Sequence, residues 1–221
     1  IVGMTDTFPL LSYEATGSTE TVFFGAHFSL AGGSRGIRMH CTNPVNYMSV
    51  SRNVFKYINF INQSVSSIHL DQFYGFDNNF FEYINFVNTP KGIHQEVNPA
   101  YVSGETPSMM FMDKNVFSNC QWINNDVCLD LDSKRASGGN MWLNCRFDNN
   151  RIIAKMPNQI DPIFANCDFT NNTGTYLLGG TTYFSMYSCL FKDNITGVGK
   201  STLINDLFNE NRQFQIRGMA V

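Results

Sequence analysis

Phe164-Ala165-Asn166-Cys167-Asp168-Phe169-Thr170-Asn171-Asn172 decides how this chain folds, because the same phrase stands one period earlier as Trp142-Leu143-Asn144-Cys145-Arg146-Phe147-Asp148-Asn149-Asn150. The phrase is an aromatic residue, two spacers, Cys, a spacer, a second aromatic, a spacer, Asn and a polar residue. It returns around Phe117, Cys120, Trp122 and Asn124-Asn125, and around Met186, Cys189, Phe191 and Asp193-Asn194. Two earlier copies carry Ile in place of Cys: Phe55, Ile58, Phe60, Asn62-Gln63 and Phe81, Ile84, Phe86, Asn88-Thr89. An imperfect copy with Phe23, Ala26 and Phe28 precedes them.

The Cys/Ile position falls at 58, 84, 120, 145, 167 and 189, in steps of 26, 36, 25, 22 and 22 residues. A period in the low twenties with one longer step marks a solenoid. Within each copy apolar and polar residues alternate, which is the period of a strand. One copy per rung of a coiled chain stacks like residues on like, about 4.8 Å apart. The expected columns are aromatic (Phe55, Phe81, Phe117, Trp142, Phe164, with Met186 closing it), Ile/Cys, a second aromatic (Phe60, Phe86, Trp122, Phe147, Phe169, Phe191) and Asn. Asn at a corner enters the left-handed region and bonds the neighbouring rung.

The phrase is followed by Gly-Ile or Ser-Ile (Gly36-Ile37, Ser67-Ile68, Gly92-Ile93). In this it resembles the right-handed parallel β-helix superfamily, which includes pectate lyases, polygalacturonases and phage tailspikes. The resemblance covers residues 20–211. It implies an all-β fold: one right-handed parallel β-helix domain over 1–221, of about eight rungs, with an internal asparagine ladder. Solenoids carry polar caps. The chain begins on Ile1-Val2-Gly3 and ends on Phe214–Val221 with no amphipathic capping helix, so a fragment of a longer protein is expected. The superfamily's members work on polysaccharides or form virion spikes, which implies an extracellular or virion-surface location. Such a fold hosts many chemistries. The polygalacturonase motifs Asn-Thr-Asp, Asp-Asp, Gly-His-Gly and Arg-Ile-Lys are absent, as is a pectate lyase Arg/Lys signature, so no catalytic residue carries over.

Composition removes several alternatives. The net charge is −3 and charged residues are only 15%, which gives no basic surface for nucleic acid. No apolar run approaches a membrane span, so no membrane partner is expected. Of six cysteines, Cys120, Cys145, Cys167 and Cys189 share one inward column with Ile58 and Ile84 and read as small buried hydrophobes rather than disulfides. Cys-x-x-Cys and Cys/His zinc spacings are missing. Gly197-Val198-Gly199-Lys200-Ser201-Thr202 imitates the end of a phosphate-binding loop, but Asn194 stands where that loop requires its first Gly. Three sequons begin at Asn62, Asn171 and Asn194. Asn62 and Asn171 fall in the Asn column, where burial would exclude a glycan.

A second segment recurs after each phrase and carries the chemistry. Strand alternation points Ile37, Ile68, Ile93, Val127 and Ile152 inward. It leaves two outward columns: Arg38, His69, His94, Cys128, Ile153, and His40, Asp71, Glu96, Asp130, Lys155. Three of the four histidines lie there. Crowded carboxylates raise one another's pKa and neighbouring cations lower it, which lets an acid and a base coexist near neutrality. We single out His69, Asp71, His94, Glu96 and Asp130 as candidate catalytic residues, with a carboxylate acid/base pair and His as orienter or base. Arg38, His40, Tyr101, Asp132 and Lys155 are candidate substrate-binding residues. The insertion Val97–Pro107, rich in Pro and Gly, emerges beside them. Paired carboxylates suit glycoside hydrolysis, and a His or Lys base with Arg suits lyase chemistry on a uronate. Glycan binding alone, and a solvated strand face whose charges pair across rungs, remain equally open. No cofactor is required. His69, Asp71, His94 and Glu96 offer a donor set for a divalent cation. A rival, structural reading rests on Val54, Phe80, Val116, Met141 and Ile163, an outward apolar column that fits a homo-oligomer such as a trimer, or a partner subunit.

Overall fold

The structure is a computed structural model, which describes residues 2–3, 9–15, 19–20, 28–41, 49–71, 75–96, 111–131, 137–155, 159–173, 178–179, 183–194 and 215–218. Every regular element among them is a strand. The strands follow in a fixed order. Ser49–Ser51, Val54–Lys56, Ile58–Ile61 and Ser66–Asp71 form one circuit. Gly75–Asp77, Phe80–Glu82, Asn85–Val87 and Lys91–Glu96 form the next. Phe111–Asp113, Val116–Ser118, Gln121–Ile123 and Val127–Leu131 follow. We call the four sheets I to IV in this order. Each strand pairs in parallel with its counterpart one circuit away, as in Phe55–Phe81–Phe117 of sheet II and Phe60–Phe86–Trp122 of sheet III. Among the described residues, sheets II and III have eight strands each, IV has seven and I has four. The path is that of a solenoid and is compatible with a β-helix. Among the described residues one pairing is antiparallel, Gln215–Gly218 against Tyr183–Tyr187.

The local rule is a side of five residues. Corners with left-handed backbone fall at Arg52, Tyr57 and Asn62, at Asn78, Tyr83 and Asn88, and at Lys114, Asn119 and Asn124. Their φ values lie between 53° and 59°. Asn tolerates this region because its short amide bonds locally; Tyr57 and Tyr83 adopt it against their steric preference. Between corners, three-residue strands bury only the middle side chain, as Val54–Lys56 and Phe80–Glu82 show. That leaves the aromatic residues inside. Phe55, Phe81, Phe117, Trp142 and Phe164 stack face to face with centroids 4.5–5.3 Å apart. Phe60, Phe86, Trp122, Phe147, Phe169 and Phe191 stack likewise at 4.7–5.3 Å. Each such ring is almost wholly buried, a contribution of about 2–3 kcal/mol apiece.

The Asn column needs a correction. Asn62, Asn88, Asn124, Asn149 and Asn171 are the exposed left-handed corners, and the residue after each is the buried one. Thr89 Oγ1 donates to Asn125 Oδ1 at 2.9 Å, and Asn125, Asn150 and Asn172 donate through Nδ2 to the Oδ1 of Asn150, Asn172 and Asn194 at 2.8–3.2 Å. The same amides reach back to carbonyls of the preceding rung, as Asn125 Nδ2 does to Phe86 O. A second stack was not anticipated: Asn53, Asn79, Asn115 and Asn140, joined by Nδ2–Oδ1 bonds of 2.9–3.0 Å. Its signal was present, since each of the four stands two residues before an aromatic of the phrase. Asn62 and Asn171 are thus solvent-facing, so burial is no obstacle at these two sequons. The described cysteines are free and buried, in the expected column for Cys120, Cys145, Cys167 and Cys189. Their Sγ atoms donate to backbone carbonyls, Cys145 to Phe117 O at 3.4 Å. The segment at 197–202 and the insertion at 97–107 lie outside the described residues.

Candidate functional site

Sheet IV carries the charged face, and its register corrects the column assignment. Ile93 pairs with Ile68 on one side and with Leu129, not Val127, on the other. This two-residue offset keeps the same face outward, because side chains alternate with period two. It moves Asp130 from beside Glu96 to beside His94. The outward column is therefore Arg38, His69, His94, Asp130 and Lys155, with His40, Asp71 and Glu96 forming the second. Cys128 and Ile153 leave the column and are buried. Ser66–Asp71 is buried on both faces, unlike the flanking strands.

Two clusters of like composition follow along this face. In the first, Arg38 Nη2 donates to Asp71 Oδ2 at 2.5 Å, and His40 Nδ1 stands 2.8 Å from the same oxygen. In the second, Lys91 Nζ donates to Asp130 Oδ2 at 2.7 Å, and His94 Nδ1 lies 3.1 Å from it. Each is a cation, an imidazole and an aspartate, with the aspartate one rung onward. Between them His69 Nε2 faces Glu96 Oε2 at 3.1 Å, and the rings of His69 and His94 meet edge to face at 5.1 Å. Ser66 Oγ lies 3.4 Å from His69 Nδ1.

Charge states separate the roles. His69 is only 2% exposed. Burial, with the charges of Arg35 and His94 adding to it, pushes its pKa down to about 3, so the imidazole is neutral near pH 7. Burial alone would raise Asp130, but hydrogen bonds from His94 and Lys91 outweigh it and hold the carboxyl well below the usual carboxylate range. Asp130 is therefore an ionised acceptor and is unsuited to donating a proton near neutrality. Glu96, more than half exposed, is more open to solvent than Asp71 or Asp130 and contacts His69 from that side.

All five candidate catalytic residues are brought onto this one face, with Arg38 and His40 at one end and exposed Lys155 at the other. Tyr101 and Asp132 lie outside the described residues. Sequence reasoning missed Lys91 and Ser66. Their signal is positional: Arg35, Ser66 and Lys91 each precede a Gly-Ile or Ser-Ile pair, and Arg35 and Ser66 are register partners. Comparisons with protein-family models, with curated proteins and with solved structures found no match.

Proposed function

We propose that this chain is a right-handed parallel β-helix of about eight rungs, with its buried Asn stacks as an internal ladder, and that it recognises a polysaccharide along sheet IV. The observation that carries this is the series Arg38, His69, His94, Asp130 and Lys155, one ionisable side chain per rung at strand spacing, in which His69 alone is buried. A regular array of donors and acceptors matches a polymer whose sugars also repeat. If the face also cleaves, Glu96 is the acid–base group, His69 and His94 are the neighbouring imidazoles, and Asp130 orients His94. The expected setting is extracellular or virion-surface. The test is affinity electrophoresis and reducing-end release on a panel of acidic and neutral polysaccharides. Retardation by one polymer, lost in a Glu96→Gln/Asp130→Asn double variant, supports the reading. Uniform failure of the parent chain across the panel overturns it.

A structural role is favoured by a different observation. Val54, Phe80, Val116, Met141 and Ile163 align in register on the outside of sheet II and are only half-buried. Lys56 Nζ covers Phe80, 5.5 Å from its ring centroid, which leaves the Val116–Met141–Ile163 stretch as the apolar surface. A stable homo-oligomer in sedimentation analysis, dissociated by Val116→Lys, supports assembly through this face.

A further inference from the structure

We propose that His69, His94 and Glu96 form a binding site for one divalent transition-metal ion of the zinc class. The ligand atoms of the three residues all lie within 4.8 Å of one another. His69 Nε2 and Glu96 Oε2 are 3.1 Å apart. Two ligands on a tetrahedral ion with bonds of 2.0–2.2 Å stand about 3.3 Å apart, so this pair already has the edge length of such a shell. The third ligand must approach by about 1.5 Å, within reach of the exposed Glu96 arm and a rotation of the His94 ring. Two imidazoles and one carboxylate are the donor set that suits zinc, cobalt or nickel rather than calcium.

The surroundings are built in the way such sites need. A metal-binding imidazole is held by a partner on its other nitrogen. Here Ser66 Oγ stands at Nδ1 of His69, and the Asp130 carboxylate at Nδ1 of His94. His69 is left to present Nε2 toward Glu96, and His94 presents the same nitrogen once Lys91 Nζ gives way. Burial fixes His69, while the exposure of Glu96 leaves a fourth position open to water or to an oxygen ligand. Asp71, a sequence candidate for the same shell, is instead taken up by Arg38 and His40. Three cations oppose the site: Lys91 Nζ lies 3.3 Å from both His94 nitrogens, and the charges of Arg35 and Arg38 bear on His69. Removing the Lys91 charge therefore tightens binding, the opposite of what removing a ligand does.

The inference does not rest on polysaccharide recognition, and its test contains no polysaccharide, so either can fail alone. The whole chain is stripped with a chelator and titrated with Co²⁺ and Zn²⁺, following visible absorption and equilibrium dialysis. One equivalent bound with a tetrahedral cobalt spectrum is expected. Glu96→Gln, an isosteric change at an exposed position, and His94→Ala abolish it. Asp130→Asn weakens it by about 10–100-fold, and Lys91→Met strengthens it. Absence of saturable binding, unchanged binding in both Glu96→Gln and His94→Ala, or a thiolate-to-cobalt charge-transfer band placing the ion on cysteine would each overturn the proposal.

Discussion

Asn124 and Asn125 are identical neighbours that the fold uses for opposite reasons, and replacing each in turn tests the account of the solenoid. Asn124 is an exposed corner at φ 56°. Its backbone N–H donates to Asp148 O at 3.1 Å, which any residue preserves. Its side chain accepts one bond from Asn149 Nδ2 at the surface. Glycine takes the left-handed conformation freely, so Asn124→Gly should change stability by no more than about 0.5 kcal/mol, while Asn124→Ala costs about 1 kcal/mol. Asn125 is 3% exposed. Its Oδ1 accepts from Thr89 N and Oγ1, and its Nδ2 donates to Phe86 O and Asn150 Oδ1. Without that amide, Thr89 Oγ1 keeps Lys91 O and Asn150 Oδ1 keeps Asn125 N. Thr89 N–H is orphaned, while Phe86 C=O keeps its place in the parallel pairing with Gln121–Ile123. One buried unsatisfied donor gives a loss of about 1–3 kcal/mol for Asn125→Ala or Asn125→Gly. The assay is urea unfolding at neutral pH, comparing midpoints at constant slope. Solenoid rungs couple mainly to their neighbours, and adjacent residues report on the same local unit. Equal losses for Asn124→Gly and Asn125→Gly, or a loss below about 1 kcal/mol for Asn125→Ala, would refute the division between corner and ladder.

Gly92→Ala should destabilise by about 1–3 kcal/mol in the same assay, because its Cβ would stand 2.5 Å from Cys128 O and 2.9 Å from the Trp122 indole; a neutral result would mean the strand can shift outward. In a Cys41→Ser background, thiol reagents should label no cysteine of the folded chain and all of them in urea. Burial pushes the Cys128, Cys145 and Cys167 thiols up, and at Cys189 the contact with Cys167, then burial, does the same. Labelling of the native chain at the rate of a free thiol would show the column open. Finally, the depressed His69 pKa, about 3 against an ordinary 6.5, makes the unfolded chain bind a proton in that interval that the folded chain refuses. Stability of the metal-stripped chain should therefore fall as pH drops from 6.5 to 4.5, by about 2–3 kcal/mol. His69→Gln should flatten that slope, and an unchanged slope would contradict the burial of a neutral imidazole.

The parallel strands, the two aromatic columns and the Ile/Cys column were legible because they depend only on a repeated spacing and on alternation. What escaped was finer than the period. The five-residue side is written in the spacing from Phe55 to Phe60 and from Phe117 to Trp122, yet a reading at the level of whole rungs assigns the corner and the buried hydrogen-bonded position to one Asn. Sheet IV showed the second limit. Val127 and Ile93 occupy equivalent places by sequence, since each opens an apolar strand after a polar corner. The register instead follows Leu129, with Gly92 set against the Cys128 carbonyl where an added Cβ would stand only 2.5 Å away. A two-residue slip preserves every inward and outward assignment, so alternation alone cannot detect it. Only the pairing shows that Asp130 belongs to His94.

That pairing bears on whether sheet IV is merely a solvated face. Charges that keep a strand wet sit exposed and lose little when neutralised. Arg146 and Asp148, Arg151 and Asp126, and Lys56 and Glu82 behave so, each pair with at least one partner about a third or more exposed. His69 does not: it is buried, uncharged and set between Arg35, Arg38 and His94. Placing a polar ring there costs stability that an aliphatic side chain would not, and alternation would admit one, since Ile153 is accommodated on the corresponding face of a later strand. A sequence that departs from local consistency at one position does so most often where a site is held. Under the proposed readings, Glu96 opposite His69, Ser66 behind it and Asp130 behind His94 give that departure a direction, toward the solvent side of Glu96.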